Sequence, residues 1–147
     1  MPLLTSIKLA IYDTFAKTAK APTVSDIARQ LELSDDRVQA AFDELHKQRL
    51  LVPEPGDTTR IRMAPPFSGI GTPFRVTVGN RIYFAPCAWD SLGIPAALHM
   101  DAVVHASDGH TGEPITLIVK GGAPVLEQCV IHIAVPAAQW WDDIIYT

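Results

Sequence analysis

Cysteine is scarce in this chain of 147 residues: Cys87 and Cys129 are the two it has. A disulfide-stapled secreted fold needs a denser set, so the pair reads as two free thiols whose reactivity matters more than any cross-link. No apolar run reaches the roughly 18 residues that a membrane-spanning helix requires. The opening MPLLTSIKLAIYDTFAK lacks the basic start, apolar block and small-residue cleavage site of a secretory signal, so a cytoplasmic location with no membrane partner is the expectation. Positive charge is thin as well. Residues 67–147 carry three Lys or Arg against seven Asp or Glu, and residues 1–66 carry nine of each. Neither half is basic enough to announce a nucleic-acid partner. What is present is apolar: hydrophobic residues make up 48% and charged ones 19%, which excludes a disordered chain. That composition suits one ordinary core, or two small subdomains that share an interface.

Helical periodicity fills the first third. From Ser6 to about Lys20, the residues Ile7, Leu9, Ala10, Ile11, Phe15 and Ala16 recur at largely helical spacing until Ala21-Pro22 stops them. Thr23, with Asp26 three residues on, can cap a second helix through Ile27, Ala28 and Leu31. Ser34 can cap a third, with Val38, Ala41, Phe42 and Leu45 on its apolar face. After Leu50-Leu51-Val52, the turn-rich PEPGDTT and the following IRM suit a small hairpin, so residues 1–65 read as a winged helix-turn-helix subdomain. Such a unit raises the idea of DNA binding. The third helix, however, opens on Asp35-Asp36, which would face phosphates, so a structural or dimerising role is the expectation.

Residues 66–147 form the second part, a small mixed sheet with short helices, which makes the fold class α+β. The segment APPFSGIGTP, residues 64–73, reads as a linker. FRVTV and RIYF alternate around Gly79-Asn80, a two-residue hairpin signal. DAVVHAS and ITLIVKG read as strands joined by DGHTGEP, and VLEQCVIHIAV as another. PAAQWWDDIIYT resembles the start of a helix that stops early.

The stretch between these strands, FAPCAWDSLGIPAAL, carries chemistry-bearing residues. Pro86 fits the first turn of a helix and would place Cys87 there, where free N–H groups and the helix dipole stabilise a thiolate. Asp90, three residues on, would share that helical face. Gly93 and Pro95 should then break the helix. Spacing alone leaves a second reading open: a small buried thiol beside an aspartate that merely complements the dipole.

RIYFAPCAWDSLGIPAAL resembles the central motif of the organomercurial (alkylmercury) lyases: an Arg–x–Tyr–Ala-like strand, then Cys–Ala–x–Asp–x–Leu, then Pro–Ala. VVHASDGHTGEPITLIV is similar to the family's following strand, its Thr–Gly–x–Pro turn and its next strand. The N-terminal winged helix also belongs to that architecture. The resemblance implies cleavage of carbon–mercury bonds by protonolysis, with Cys87 binding mercury and Asp90 moving the proton. It implies no organic cofactor, mercury being the substrate's own metal, and a product Hg(II) passed to cellular thiols or to a mercuric reductase. The chemistry agrees: Hg(II) is soft and prefers thiolates, and a carboxyl that takes a thiol proton and returns it to carbon is a general acid–base catalyst.

The family's second cysteine has one candidate, Cys129, three residues before His132, in an alignment that slips by about one position. A slip of one on a strand turns a side chain to the opposite face, where Cys129 would join Ile131 and Ile133 as core. Full-size family members continue past this strand, whereas this chain ends at Thr147, so a shortened homologue or a pocket completed by a second subunit, as in a homodimer, is expected. His105 and His110 flank the loop ASDG and could form a zinc or copper site with His132 or a cysteine, although their spacing is no recognised ligand pattern and loop histidines are mostly solvated. Trp89, Trp140 and Trp141 read as core or pocket wall, the glycines make no phosphate loop, and Asp142-Asp143 reads as a solvated face. Two rivals stand beside the lyase: a non-catalytic mercury- or copper-binding protein, or metal-responsive winged-helix regulator, of the same fold, and an enzyme of that fold with another substrate.

Overall fold

Helix α1 runs over Leu3–Thr18 and ends on Ala19 in the left-handed conformation. The computed structural model describes residues 1–125 and 129–145. On α1 the buried residues are Ile7, Ala10, Ile11 and Phe15, one face at helical spacing. Helix α2 (Val24–Leu31) opens on the expected capping box: the Asp26 N–H donates to the Thr23 hydroxyl, and the Thr23 N–H donates to the Asp26 carboxylate. Helix α3 (Asp35–Lys47) follows Ser34, whose side chain makes no cap bond. Instead the Ser25 hydroxyl donates to the Asp35 carboxylate at 2.6 Å, tying α2 to α3.

Strands β1 (Val52–Glu54), β2 (Asp57–Ala64) and β3 (Phe67–Ser68) form an antiparallel sheet in that order. The stretch read as a linker therefore contains a strand. Phe67 is the reason, because its ring stacks on Phe15 at 5.2 Å and tilts against Tyr83 at 5.8 Å, so burial fixes the backbone around it. Gly69 follows at a close approach: a Cβ there would lie 2.1 Å from the Ile61 carbonyl oxygen.

The second sheet contains β4 (Phe74–Val78), β5 (Arg81–Ala85), β6 (Ala102–Ser107), β7 (Pro114–Lys120) and β8 (Ala123–Val125), in the order β5-β4-β6-β7-β8. Every pairing in it is antiparallel, so the expected mixed sheet is not formed. Short turns join antiparallel neighbours, and the one helical crossover, α4 (Ala88–Leu98), carries the chain from β5 past β4 to β6. The Gly79-Asn80 hairpin forms as read. The strand expected over residues 125–135 does not: β8 stops at Val125, residues 126–128 lie outside the described residues, and 129–133 have no strand. Among the described residues no further strand lies beyond β8 in the sheet order, and alternation without a pairing partner does not make a strand. The chain end forms a 3-10 helix, Ala137–Asp142, with Trp141 against the His46 ring at 6.3 Å.

One hydrophobic cluster runs through both parts, from Ile7, Phe15 and Phe42 to Val76, Ala85, Ile94 and Val104. The Tyr83 hydroxyl crosses it to donate to the Ala16 carbonyl at 2.6 Å, which clamps β5 to α1. No described helix is long and apolar enough to cross a membrane.

Candidate active site

Strand β5 delivers the chain to the site in a fixed position. Ala85 is fully buried, and its carbonyl accepts from the Thr72 hydroxyl at 2.6 Å. After Pro86 the backbone of Cys87 is extended (φ −148°, ψ 177°), and α4 begins at Ala88. Cys87 is thus the residue that caps the helix, one position earlier than the first turn, and its carbonyl accepts from the Ser91 N–H at 3.1 Å. Helix α4 continues through Gly93 and Pro95, where the sequence suggested a break. Ile94 and Pro95 are buried and α4 packs on β4, β5 and β6, so apolar burial outweighs the one backbone bond that proline forfeits.

Asp90 stands in the first turn of α4 and reaches back toward the cap. The Cys87 thiol donates to Asp90 Oδ2 across 3.6 Å, and both residues are half-buried. Burial pushes the Asp90 carboxyl above its ordinary value, partly opposed by the thiol's hydrogen bond. Cys87 is likewise raised, first by burial and also by the Asp90 charge, against the pull of the Asp90 and Trp89 backbone N–H groups. The lowered thiol expected from the helix terminus is therefore not found: the N–H groups are there, but burial and a neighbouring carboxylate outweigh them.

Tyr12 completes the surroundings and was missed in the sequence. Its hydroxyl donates to the Pro65 carbonyl at 3.0 Å, and Pro66 lies so close to α4 that a Cβ on Gly93 would meet it at 3.0 Å. The Tyr12 phenol is raised by burial and then by the charge of Asp90. No sequence signal singles it out, since an aromatic on the α1 face reads as core.

Cys129 is exposed, in a segment without strand, and no hydrogen bond joins it to the Cys87–Asp90 pair. It is not the core residue its neighbours suggested. Trp89 is 61% exposed, so it is a solvent-facing lip beside Cys87 and no pocket wall. Among the described residues no three His, Cys, Asp or Glu come together to hold a metal ion, so His105, His110 and His132 assemble no such site.

The helix that carries Cys87 and Asp90 lies within a stretch that matches a known family: residues 67–147 fit Alkylmercury lyase (MerB). The chain belongs to the alkylmercury lyase family. Among solved structures it is similar to the mercury-bound form of MerB2, with 28% sequence identity and a TM-score of 0.68. That match covers 86% of this chain and 60% of the other, so this chain spans less than two thirds of that protein's length. The comparison with curated proteins returns none that match. Both family findings bear out the resemblance read from the motif around Cys87.

Proposed function

We propose that this chain cleaves carbon–mercury bonds by protonolysis, releasing a hydrocarbon and Hg(II). The observation that carries the reading is the thiol of Cys87 donating to Asp90 at 3.6 Å in a chain of this family. Mercury is the substrate's own metal. Cys87 sulfur binds R–Hg⁺ and its proton passes to Asp90. Cys129, exposed and giving its thiol proton to solvent, supplies a second thiolate that adds electron density to mercury and weakens the Hg–C bond. Asp90 then gives the proton to carbon as that bond breaks, so R–H leaves, Asp90 is again a carboxylate and mercury remains Hg(II) on sulfur.

The rest of the reading follows from that step. Small thiols or a mercuric reductase would take the metal, and a reducing cytoplasm would keep both cysteines free. Residues 1–65 would serve as a winged helix that walls the site rather than reads DNA. On α3, Gln39 donates to Asp43 and to the Thr58 carbonyl, and Asp35 and Asp36 open the helix, so little of it is left for bases or phosphates. A homodimer that closes the pocket also belongs to this reading.

The test is single-turnover release of benzene from phenylmercuric acetate in excess thiol. Release should occur in the wild type and vanish in Cys87→Ser. Tight mercury binding without release would leave the non-catalytic carrier, and neither binding nor release would point to another substrate. Cys129→Ser run alongside should slow release; an unchanged rate would remove Cys129 from the mechanism.

A further inference from the structure

A groove of about 700 Å³ lies between the turn after α1, strand β2, the chain after β3 and strand β5. Three cations converge on it from three elements: Lys20, Arg60 and Arg81. All three are exposed, and none forms an ion pair among the described residues. The carboxylate in the lining, Glu54, is held by Arg62 at 3.1 Å, so it does not neutralise them. In a protein of net charge −4, the groove is a local positive field that an anion would relieve. Its walls include Ile61, Ile82 and Phe84, apolar surface suited to methylene groups. The size is that of a small-ligand site.

The lining of the groove does not include Cys87, but one of its walls is close to that residue in the chain. Phe84 precedes Cys87 by three residues, so even fully extended chain separates their Cα atoms by no more than about 10 Å. Mercury on a thiolate leaves by exchange with another thiol. We infer that the groove between α1 and β5 holds a small carboxylate-bearing thiol, its carboxylates on Lys20, Arg60 and Arg81, which takes Hg(II) from Cys87. The inference rests on the mercury reading above. In the exchange, the incoming sulfur forms a bond to mercury as the Cys87–mercury bond breaks. Cys87 leaves as a thiolate and takes up the proton that the incoming thiol gave away. Mercury stays Hg(II), and nothing is oxidised or reduced.

Two measurements test this, and neither needs the lyase reaction. The first titrates S-methylglutathione, which cannot bind mercury through a thiolate, against the wild type and against the triple variant Lys20→Gln, Arg60→Gln, Arg81→Gln, with circular dichroism to verify folding. Binding should weaken as salt rises and should fall about ten-fold or more in the variant, the sum of a few exposed charge pairs. The second loads the protein with Hg(II) and compares its release by glutathione and by uncharged 2-mercaptoethanol. The ratio of the two rates should fall about ten-fold in the variant. No binding by the wild type, or an unchanged ratio, overturns the inference. If the triple variant fails to fold, the wild type's own salt dependence decides: release by glutathione that is no more salt-sensitive than release by 2-mercaptoethanol overturns it as well. Failure of benzene release, by contrast, leaves both measurements intact and bears on the lyase reading alone.

Discussion

Replacing Asp90 by Asn should uncouple stability from catalysis. The wild-type carboxyl is half-buried, is held by one thiol at 3.6 Å, and has no Lys or Arg paired with it among the described residues. Its folded pKa lies above the ordinary carboxylate value because burial penalises the charge. The folded state therefore holds the proton more tightly than the unfolded state, and stability falls as pH rises from the ordinary value through the raised one. Below that window both states are protonated and the penalty is gone. An amide of the same shape removes the charge at all pH values. Asp90→Asn should thus be more stable at pH 7 by about 1 kcal/mol, in the range usual for relieving such a site, or roughly 3–5 °C in Tm. The gain should shrink toward zero below about pH 4. Carbon–mercury cleavage should fall by about 10²- to 10⁴-fold, the share general acid–base catalysis supplies, while Hg(II) binding on Cys87 persists. Thermal melts from pH 3 to 8 and benzene release report the two effects separately. A stability gain independent of pH would refute the burial argument, and unimpaired cleavage would refute the proton shuttle.

The two thiols should differ in reactivity. With a disulfide reagent at pH 7.5, exposed Cys129 should react about ten-fold faster or more than Cys87, whose raised pKa leaves less thiolate, and Cys87 should gain speed only above the ordinary thiol range. Mass spectrometry of partly labelled protein assigns the phases, and a faster Cys87 would contradict its electrostatics. Phe67→Ala should destabilise the fold by about 3–5 kcal/mol, because that buried ring joins Phe15 to Tyr83 and thereby α1 to β5. Urea unfolding measures it, and a loss under about 1 kcal/mol would mean the two sheets do not depend on that contact.

Local rules carried the sequence reading where the chain is governed locally. The Thr23–Asp26 box, the apolar faces of α1 to α3 and the Gly79-Asn80 hairpin each depend on residues a few positions apart, and each formed as read except that Leu9 of α1 is exposed and Ser34 makes no cap bond to α3. The Cys87–Asp90 pairing was legible for the same reason, as an i to i+3 step at a helix start. Tertiary packing decided what was misread. Phe67 makes a strand of a proline-rich stretch because two distant rings receive it, and α4 survives Pro95 because Ile94 beside it is buried on the sheet. Tyr12 shows the limit most directly: its link to the site runs through Pro65 and Pro66, 53 residues away for the hydrogen bond itself, and no spacing rule reaches that far.

The direction of the Cys87 shift bears on which of the rival functions the site suits. A carrier or sensor of soft metal needs only thiolates, and for it a lowered pKa is an advantage. Protonolysis needs something more: the proton that sulfur loses on binding mercury must stay within reach of the leaving carbon. Here the sulfur donates to Asp90, whose carboxyl burial raises above its ordinary value, so that it holds a proton more readily than an exposed carboxylate does. Burial raises both groups, so free protein holds the shared proton instead of a ready thiolate. Mercury, by displacing that proton from sulfur, would load the acid at the moment the substrate arrives. On the proposed lyase reading, the same burial that weakens Cys87 as a simple metal ligand would let the pair hold one proton beside the bond to be broken, a cost without return for a carrier and a requirement for a lyase.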